Sequence, residues 1–226
     1  MKSTLSKSRI LLLAGVSSAC IFIGGCDEEC VEGVCVPVDG YYYDSLVSGV
    51  AYETRDEEGP TRTGTTGEGN DPGRFQYLFG ETISFSLGDT VLGEARADER
   101  LPQDRLTPFD LAGVMEEEVG GCQVDQALPT DDFRIVHNLA VLLQTFDTDG
   151  DPTAGIEISS GVAALFEGVT INVDQAWEDF QSDADLDSVL QAANGASLFP
   201  DTRALRTREE ALRALYQGIG LCTPES

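Results

Sequence analysis

The chain has few basic residues, one histidine and none of the common catalytic motifs. Its 226 residues include 14 Lys and Arg against 40 Asp and Glu, and His137 is the only histidine. We predict no binding to nucleic acid, because both partners would be strongly negative. No Gly-x-Ser-x-Gly elbow, His-Glu-x-x-His zinc motif or Walker phosphate loop occurs. The sequence therefore assigns no catalytic residue and favours a non-enzymatic role.

The N-terminal 25 residues have the pattern of a signal peptide and lack the length of a transmembrane helix. Three basic residues precede an apolar run over residues 10–16, which is too short to span a bilayer. The following Ile23-Gly24-Gly25-Cys26 resembles the lipobox of bacterial lipoproteins. That resemblance implies that Cys26 is lipidated and becomes the first mature residue. The chain would then be anchored to the inner or outer membrane of the cell envelope. Cleavage as an ordinary secretory signal is the alternative.

Removal of residues 1–25 makes the protein still more acidic. Three of the 14 basic residues and none of the 40 acidic ones lie in this leader, which leaves 11 against 40, a net charge near −29. Electrostatic attachment to anionic lipid is therefore implausible. The acidity is compatible with a solvated surface and also with cation binding.

The cysteines agree with an exported protein. Cys20 falls in the leader and Cys26 in the lipobox, which leaves an even number: Cys30, Cys35, Cys122 and Cys222. Three pairings are possible, and we favour Cys30–Cys35 as a tight local loop with Cys122–Cys222 closing the C-terminal region. A zinc site is the competitor, but the spacing has no Cys-x-x-Cys pair and one histidine is too few.

A buried helix is predicted from Asp132 to Phe146. Apolar residues recur there at spacings of three and four, and only a narrow stripe that includes His137 is polar. A helix that is apolar around most of its circumference belongs in the centre of a core, with Asp131 or Asp132 as its N-terminal cap. We interpret His137 as a structural residue.

Three carboxylates follow this helix directly. Asp147, Asp149 and Asp151 stand where the helix dipole already carries negative charge, so a positive group is expected to compensate, and Ca²⁺ is one candidate. Their spacing matches the opening of an EF-hand loop, but Pro152 occupies the usual glycine position and Ile158 replaces the final Glu. The alternative is a helix stop followed by ordinary turn residues.

Residues 46–98 alternate between apolar and polar side chains and predict an antiparallel β unit. The turns are Gly80-Glu81 and Gly88-Asp89, and Glu57 to Gly73 is predicted as a long exposed loop. Residues 26–45 are predicted as a tether ending in three tyrosines that dock on the sheet.

Several blocks of sequence resemble known exported proteins. The β unit is similar to small sandwich modules such as carboxypeptidase-regulatory-like domains, on the residues Val47–Tyr52, Gly73–Tyr77 and Gly80-Glu81. More broadly, the chain resembles a group of proteobacterial exported proteins, on the residues Asp44–Val50, Leu92-Gly93, Thr107–Leu111 and Asn138–Ile156. The resemblance implies a fold and a location but no activity.

Residues 99–226 are predicted to be mainly helical. Helix starts are expected at Thr107-Pro108 and at the capping box Thr207–Glu210, with further short helices near residues 160–166, 174–180 and 186–193 and a strand from Val169 to Val173. Four arginines cluster near the C-terminus, and we interpret them as partners of nearby acids such as Glu209 and Glu210: Arg203, Arg206, Arg208 and Arg213.

Together these patterns predict an α+β protein: a signal peptide (1–25), a tether (26–45), a β unit (46–98) and a helical region (99–226) that shares one core with it. The predicted function is a membrane-anchored envelope lipoprotein with a binding or structural role, whose partner is an envelope protein or a glycan. The alternative is a lipid-anchored hydrolase that acts on carbohydrate through paired carboxylates, which need no fixed sequence spacing.

Overall fold

The structure, a computed structural model, describes residues 30–31, 34–98, 100–116, 122–124 and 133–223, with the backbone alone at residues 30, 31, 34 and 35. The predicted leader, the predicted lipobox with Cys26 and the predicted caps Asp131 and Asp132 lie outside the described residues. Within the described ranges, no helix combines the length and apolar character needed to cross a membrane.

The predicted α+β class is confirmed, with sheets in the N-terminal part and helices in the C-terminal part. The strands are β1 (Cys30–Val31), β2 (Val34–Cys35), β3 (Val38–Tyr42), β4 (Val47–Ser48), β5 (Ala51–Arg55), β6 (Pro60–Thr65), β7 (Arg74–Tyr77), β8 (Thr82–Leu87), β9 (Thr90–Arg96), β10 (Arg105–Leu106) and β11 (Ile156–Glu157). The helices are α1 (Pro108–Ala112), α2 (Arg134–Phe146), α3 (Ser160–Ala163), α4 (Trp177–Phe180), α5 (Ala184–Gly195) and α6 (Arg208–Gly218).

Two sheets pack face to face in the β unit. One has the antiparallel order β6-β5-β8-β9, and the other has the order β10-β3-β7, in which β10 runs parallel to β3. Their inner faces meet at aromatic rings: Tyr42 stacks on Phe85 at 4.5 Å between centroids, and Phe75 meets Phe85 edge-on at 5.2 Å. Buried and half-buried side chains alternate along β7 and β8, since successive side chains of a strand point to opposite faces. Phe75 and Phe85 therefore point into the space between the two sheets.

Two boundaries of the β unit differ from the prediction. The predicted tether contains β3, the central strand of the smaller sheet, so the β unit begins before residue 46. The predicted loop from Glu57 to Gly73 contains β6, an edge strand whose side chains are largely exposed. Its first residue, Pro60, is tolerated because an edge strand can lack one N–H donor.

The buried central helix is confirmed. Every residue of α2 from Val136 to Phe146 is buried, including His137 on the predicted polar stripe. α1 packs beside α2 and begins at the predicted Thr107-Pro108 start, where Thr107 and Asp110 form a capping box. This short helix ends at Gly113, whose φ of 67° suits a residue without Cβ.

The predicted strand from Val169 to Val173 is wrong. Its backbone finds side-chain partners instead of a neighbouring strand: Thr90 Oγ1 donates to Val169 O at 3.0 Å and accepts from Ile171 N at 3.1 Å. The Asn138 amide on α2 donates to Val173 O at 2.9 Å. Two buried side chains therefore supply the backbone hydrogen bonds that a neighbouring strand would otherwise provide to this segment.

The remaining helices form where predicted, and one disulfide is confirmed. Residues 160–166 form α3 and a 3₁₀ turn, and Thr207 with Glu210 caps α6 by the predicted box. Cys122 and Cys222 are bonded across 100 residues. The backbones of Cys30 and Cys35 pair as opposite residues of a two-stranded ribbon, and a bond between them stays a prediction.

Candidate functional site

The acidic loop after α2 is built as a series of turns. Asp147 is fully buried and its Oδ1 accepts from Glu157 N at 2.9 Å, whereas Asp149 and Asp151 are exposed. Asp149 Oδ1 accepts from Asp151 N at 2.8 Å, and Asp151 Oδ1 accepts from Thr153 N at 3.1 Å. Among the described residues no group of three such side chains is gathered as metal ligands. The loop therefore has the turn chemistry of the alternative interpretation, and calcium binding stays a prediction.

Arginines supply the positive charge that this helix end requires. Arg203 donates to the carbonyl oxygens of Thr145 at 3.2 Å, of Asp147, and of Thr148 at 3.5 Å. Arg206 donates to Gly150 O at 3.4 Å. Both guanidinium groups lie at the negative end of α2, where a cation is favourable.

The predicted pairing of the C-terminal arginines with acids of their own helix is wrong. In the described part of the chain, none of Arg203, Arg206, Arg208 and Arg213 forms an ion pair with a carboxylate. Arg208 lies over the ring of Trp177, at 5.5 Å from its centroid. Glu210 is engaged by Thr207 in the capping box.

A buried carboxyl group joins the β unit to the two long helices. Asp44 is fully buried, and the Gln144 amide of α2 donates to its two oxygens at 3.2 and 3.1 Å and to Ala211 O of α6 at 2.9 Å. Burial raises the pKa of Asp44 to about 7, against the opposing effects of the Gln144 hydrogen bonds and of Arg206. Burial likewise raises the pKa of Asp147 to about 6, and the Glu157 N–H opposes the rise.

The turn after Asp44 has an unusual backbone. Ser45 and Leu46 both have positive φ angles, 64° and 55°, a region that side chains other than glycine enter rarely. A Cβ on Gly218 of α6 would lie 2.0 Å from Ser45 Oγ. A side chain at position 218 would therefore displace the Ser45 hydroxyl and press on the turn. This turn forms part of a cavity wall.

The larger of two adjoining cavities lies between this turn and α6. Its volume is about 480 Å³. It is lined by Tyr43, Ser45, Leu46, Thr153, Ala154, Gly155, Ala214, Gln217, Gly218, Cys222 and Thr223. No lining residue is charged, so the cavity suits an uncharged and partly apolar group.

The smaller cavity adjoins it along α6 and has a different character. Its volume is about 320 Å³, and it shares Thr153, Ala214 and Gln217 with the larger one. Its lining adds two cationic and two anionic side chains: Arg206, Arg213, Asp151 and Glu210. We call the two cavities together the α6 groove.

Sequence patterns gave one indirect signal of this groove, the cluster of C-terminal arginines. The remaining lining comes from short segments around residues 43–46, 153–155 and 214–223, which have no common motif. Asp151, a predicted calcium ligand, also lies in the wall of the groove.

Comparison with known proteins assigns no relative: no family model, no curated protein and no solved structure matches the chain. The function is therefore argued from the chemistry of the groove and of the buried charges.

Proposed function

We propose that the chain is a lipid-anchored cell-envelope protein whose body binds a small ligand in the α6 groove. The observation that carries the binding role is the pair of adjoining cavities, about 480 and 320 Å³, with an uncharged end and a charged end. Ligand sites in proteins have this range of volume and this mixture of apolar walls and few polar groups. The lipobox resemblance at Cys26 supports the anchor.

The charges of the groove favour binding over hydrolysis. A glycoside hydrolase requires an accessible carboxylic acid with a raised pKa beside a second carboxylate. In the described part of the chain the carboxyls with raised pKa values are Asp44 and Asp147, and both are fully buried. The groove acids Asp151 and Glu210 have lowered pKa values, because Thr153 and Thr207 donate hydrogen bonds to them. Ionised acids of this kind are poor proton donors.

A groove-filling substitution tests the binding role. The probe is anilinonaphthalene sulfonate, a small anionic aromatic whose fluorescence rises in apolar sites. We expect saturable binding by wild type and loss of that binding in Gln217→Trp, because Gln217 is half-buried and lines both cavities. Gln191→Trp on the exposed face of α5 is the matched control and should bind like wild type. Equal binding by wild type and Gln217→Trp would contradict the proposal.

Calcium stabilisation of the acidic loop is a second proposal. It is favoured by Asp147 Oδ2, which is buried and has no hydrogen-bond partner. It is opposed by Arg203, whose guanidinium already binds three carbonyls of the helix end and loop. A Ca²⁺ ion would offset the repulsion among Asp147, Asp149 and Asp151, and its binding would stabilise the folded state.

A further inference from the structure

We propose that the ligand of the α6 groove is a zwitterion, a short peptide with free amino and carboxyl termini. This inference rests on the proposed function and adds the class of ligand to it. The carboxylate of the peptide would bind Arg206 and Arg213, its ammonium group would bind Asp151 and Glu210, and an uncharged side chain would enter the larger cavity.

The first support is the state of the arginines. After the leader every basic residue is an arginine, and there are 11 of them in a chain with 40 acids. The seven from Arg55 to Arg134 all form ion pairs with carboxylates. The four from Arg203 to Arg213 form none with the described residues. Arg206 and Arg213 nevertheless interact with acids of the groove, because, after the hydrogen bonds from threonine, Arg206 lowers the pKa of Asp151 and both arginines lower that of Glu210. Since neither forms a direct ion pair with the described residues, their N–H groups can also bind the carboxylate of a ligand.

The four unpaired arginines divide into two kinds. Arg203 binds carbonyls, and Arg208 lies over an aromatic ring, so each has a structural partner. The guanidinium of Arg206 makes one hydrogen bond, to Gly150 O at 3.4 Å, and its buried Nε has no hydrogen-bond partner. Arg206 and Arg213 are the two that line the groove. Two guanidinium groups in the lining of one cavity can bind a carboxylate, since each presents several N–H donors.

The second support is the presence of acids in the same cavity. Asp151 and Glu210 line it beside the arginines, and hydrogen bonds from Thr153 and Thr207 favour their ionised forms. A simple anion would be repelled by these two carboxylates, and a simple cation would be repelled by the two arginines. A ligand that carries both signs of charge matches both pairs. Charge complementarity therefore selects a zwitterion over either ion alone.

The third support is the change of character along the groove. The charged cavity continues past Thr153, Ala214 and Gln217 into the uncharged one, where Tyr43 and Leu46 offer apolar surface. A volume of about 480 Å³ is ample for an aromatic or aliphatic side chain. A charged side chain would lose its hydration there without an opposite charge, so neutral side chains are expected.

The test compares one dipeptide with its blocked forms by titration calorimetry. The probes are L-alanyl-L-phenylalanine, its N-acetyl form and its C-terminal amide. We expect the free dipeptide to bind at least tenfold more tightly than either blocked form, because each block removes one of the two charges. Equal affinity of all three would overturn the proposal.

Substitutions assign each charge to its partner. Arg213→Gln should weaken the free dipeptide but leave the amide unchanged, since the amide has no carboxylate to lose. Glu210→Gln keeps the capping box and should weaken only ligands with a free ammonium group. Arg208→Gln on the same helix should change neither. If both Arg213→Gln and Glu210→Gln still bind the free dipeptide more tightly than its blocked forms, the assignment of the ligand charges to these residues is wrong.

Failure of this inference is distinguishable from failure of the proposed function. If the fluorescent sulfonate binds wild type but not Gln217→Trp, the groove is a binding site. If millimolar dipeptide then fails to displace the sulfonate, the zwitterion proposal is wrong while the groove proposal stands. If Gln217→Trp binds the sulfonate like wild type, both proposals fall.

Discussion

Replacement of Asp44 by Asn should stabilise the protein at neutral and alkaline pH. Asp44 is fully buried, and the structure offers its carboxyl the Gln144 amide but no ion-paired cation. Ionisation therefore costs desolvation energy that the Gln144 hydrogen bonds and the charge of Arg206 only partly offset. Asparagine has the same shape and never ionises, so it avoids that cost.

The magnitude follows from the pKa of Asp44, which burial raises to about 7. An unfolded aspartate has a pKa near 4, and each tenfold change in an ionisation equilibrium corresponds to about 1.4 kcal/mol. Folded and unfolded states are both protonated below pH 4. As the pH rises from about 4 to about 7, only the unfolded state ionises, so the free energy of unfolding falls by roughly 4 kcal/mol and then levels off.

Urea unfolding of wild type and Asp44→Asn from pH 4 to pH 8.5 measures this effect. The advantage of the variant should be near zero at pH 4 and roughly 3–4 kcal/mol at pH 8. Asp147, whose pKa is also raised, is present in both proteins, and its charge is one of the causes that raise the pKa of Asp44. Asp179→Asn removes the same charge from an exposed site and controls for net charge. A difference that does not depend on pH, or a variant less stable than wild type at pH 8, would refute the reasoning.

Four further predictions concern the anchor, the helix end, the loop and the disulfide. Cys26→Ser should release the protein from membranes into the soluble fraction; a mutant still extracted only by detergent contradicts lipidation. Arg203→Met should lower the free energy of unfolding by about 2 kcal/mol, because buried carbonyls lose their hydrogen-bond donor. Arg208→Met, the control, should lower it by less. Equal decreases for the two variants in urea unfolding would contradict this prediction. Millimolar Ca²⁺ should raise the melting temperature above that in matched salt, and Asp149→Asn should remove the difference; identical melting excludes calcium binding. Replacement of Cys122 and Cys222 by Ala should cost about 4–5 kcal/mol in the chain-entropy model, and unchanged unfolding would contradict a structural role.

The elements that were predicted correctly have local causes. α2 follows from the spacing of its own apolar residues, and the starts of α1 and α6 follow from capping boxes that span four residues. The Cys122–Cys222 bond belongs to the pairing that was favoured among the three possible for Cys30, Cys35, Cys122 and Cys222. Each of these signals is contained within a short segment or in the composition.

The errors have causes that lie elsewhere in the chain. β6 is an exposed edge strand, so no buried face imposes alternation on its sequence. Residues 169–173 have the composition of a strand, but Thr90 and Asn138 from distant elements satisfy their backbone. Arg203, a positive group that contacts the acidic loop, follows Asp147 by 56 residues and reaches it only through the tertiary fold.

The α6 groove could not be predicted from the sequence either, because its walls come from segments that are distant along the chain. Its wall requires a turn with two positive φ angles, at Ser45 and Leu46, to pack on a glycine of α6. Neither residue is typical of such a turn, and the fit to Gly218 appears only when the β unit and α6 are brought together.

The most direct test of the account is to map the bound probe on the protein. Amide chemical shifts are recorded by NMR for the protein during titration with anilinonaphthalene sulfonate. The account predicts that the largest changes fall on Ala154, Gly155, Gln217 and Gly218, which line the α6 groove. Changes confined to the separate cavity of about 380 Å³ beside Ser86 and Ala163, or no saturable changes at all, would contradict it.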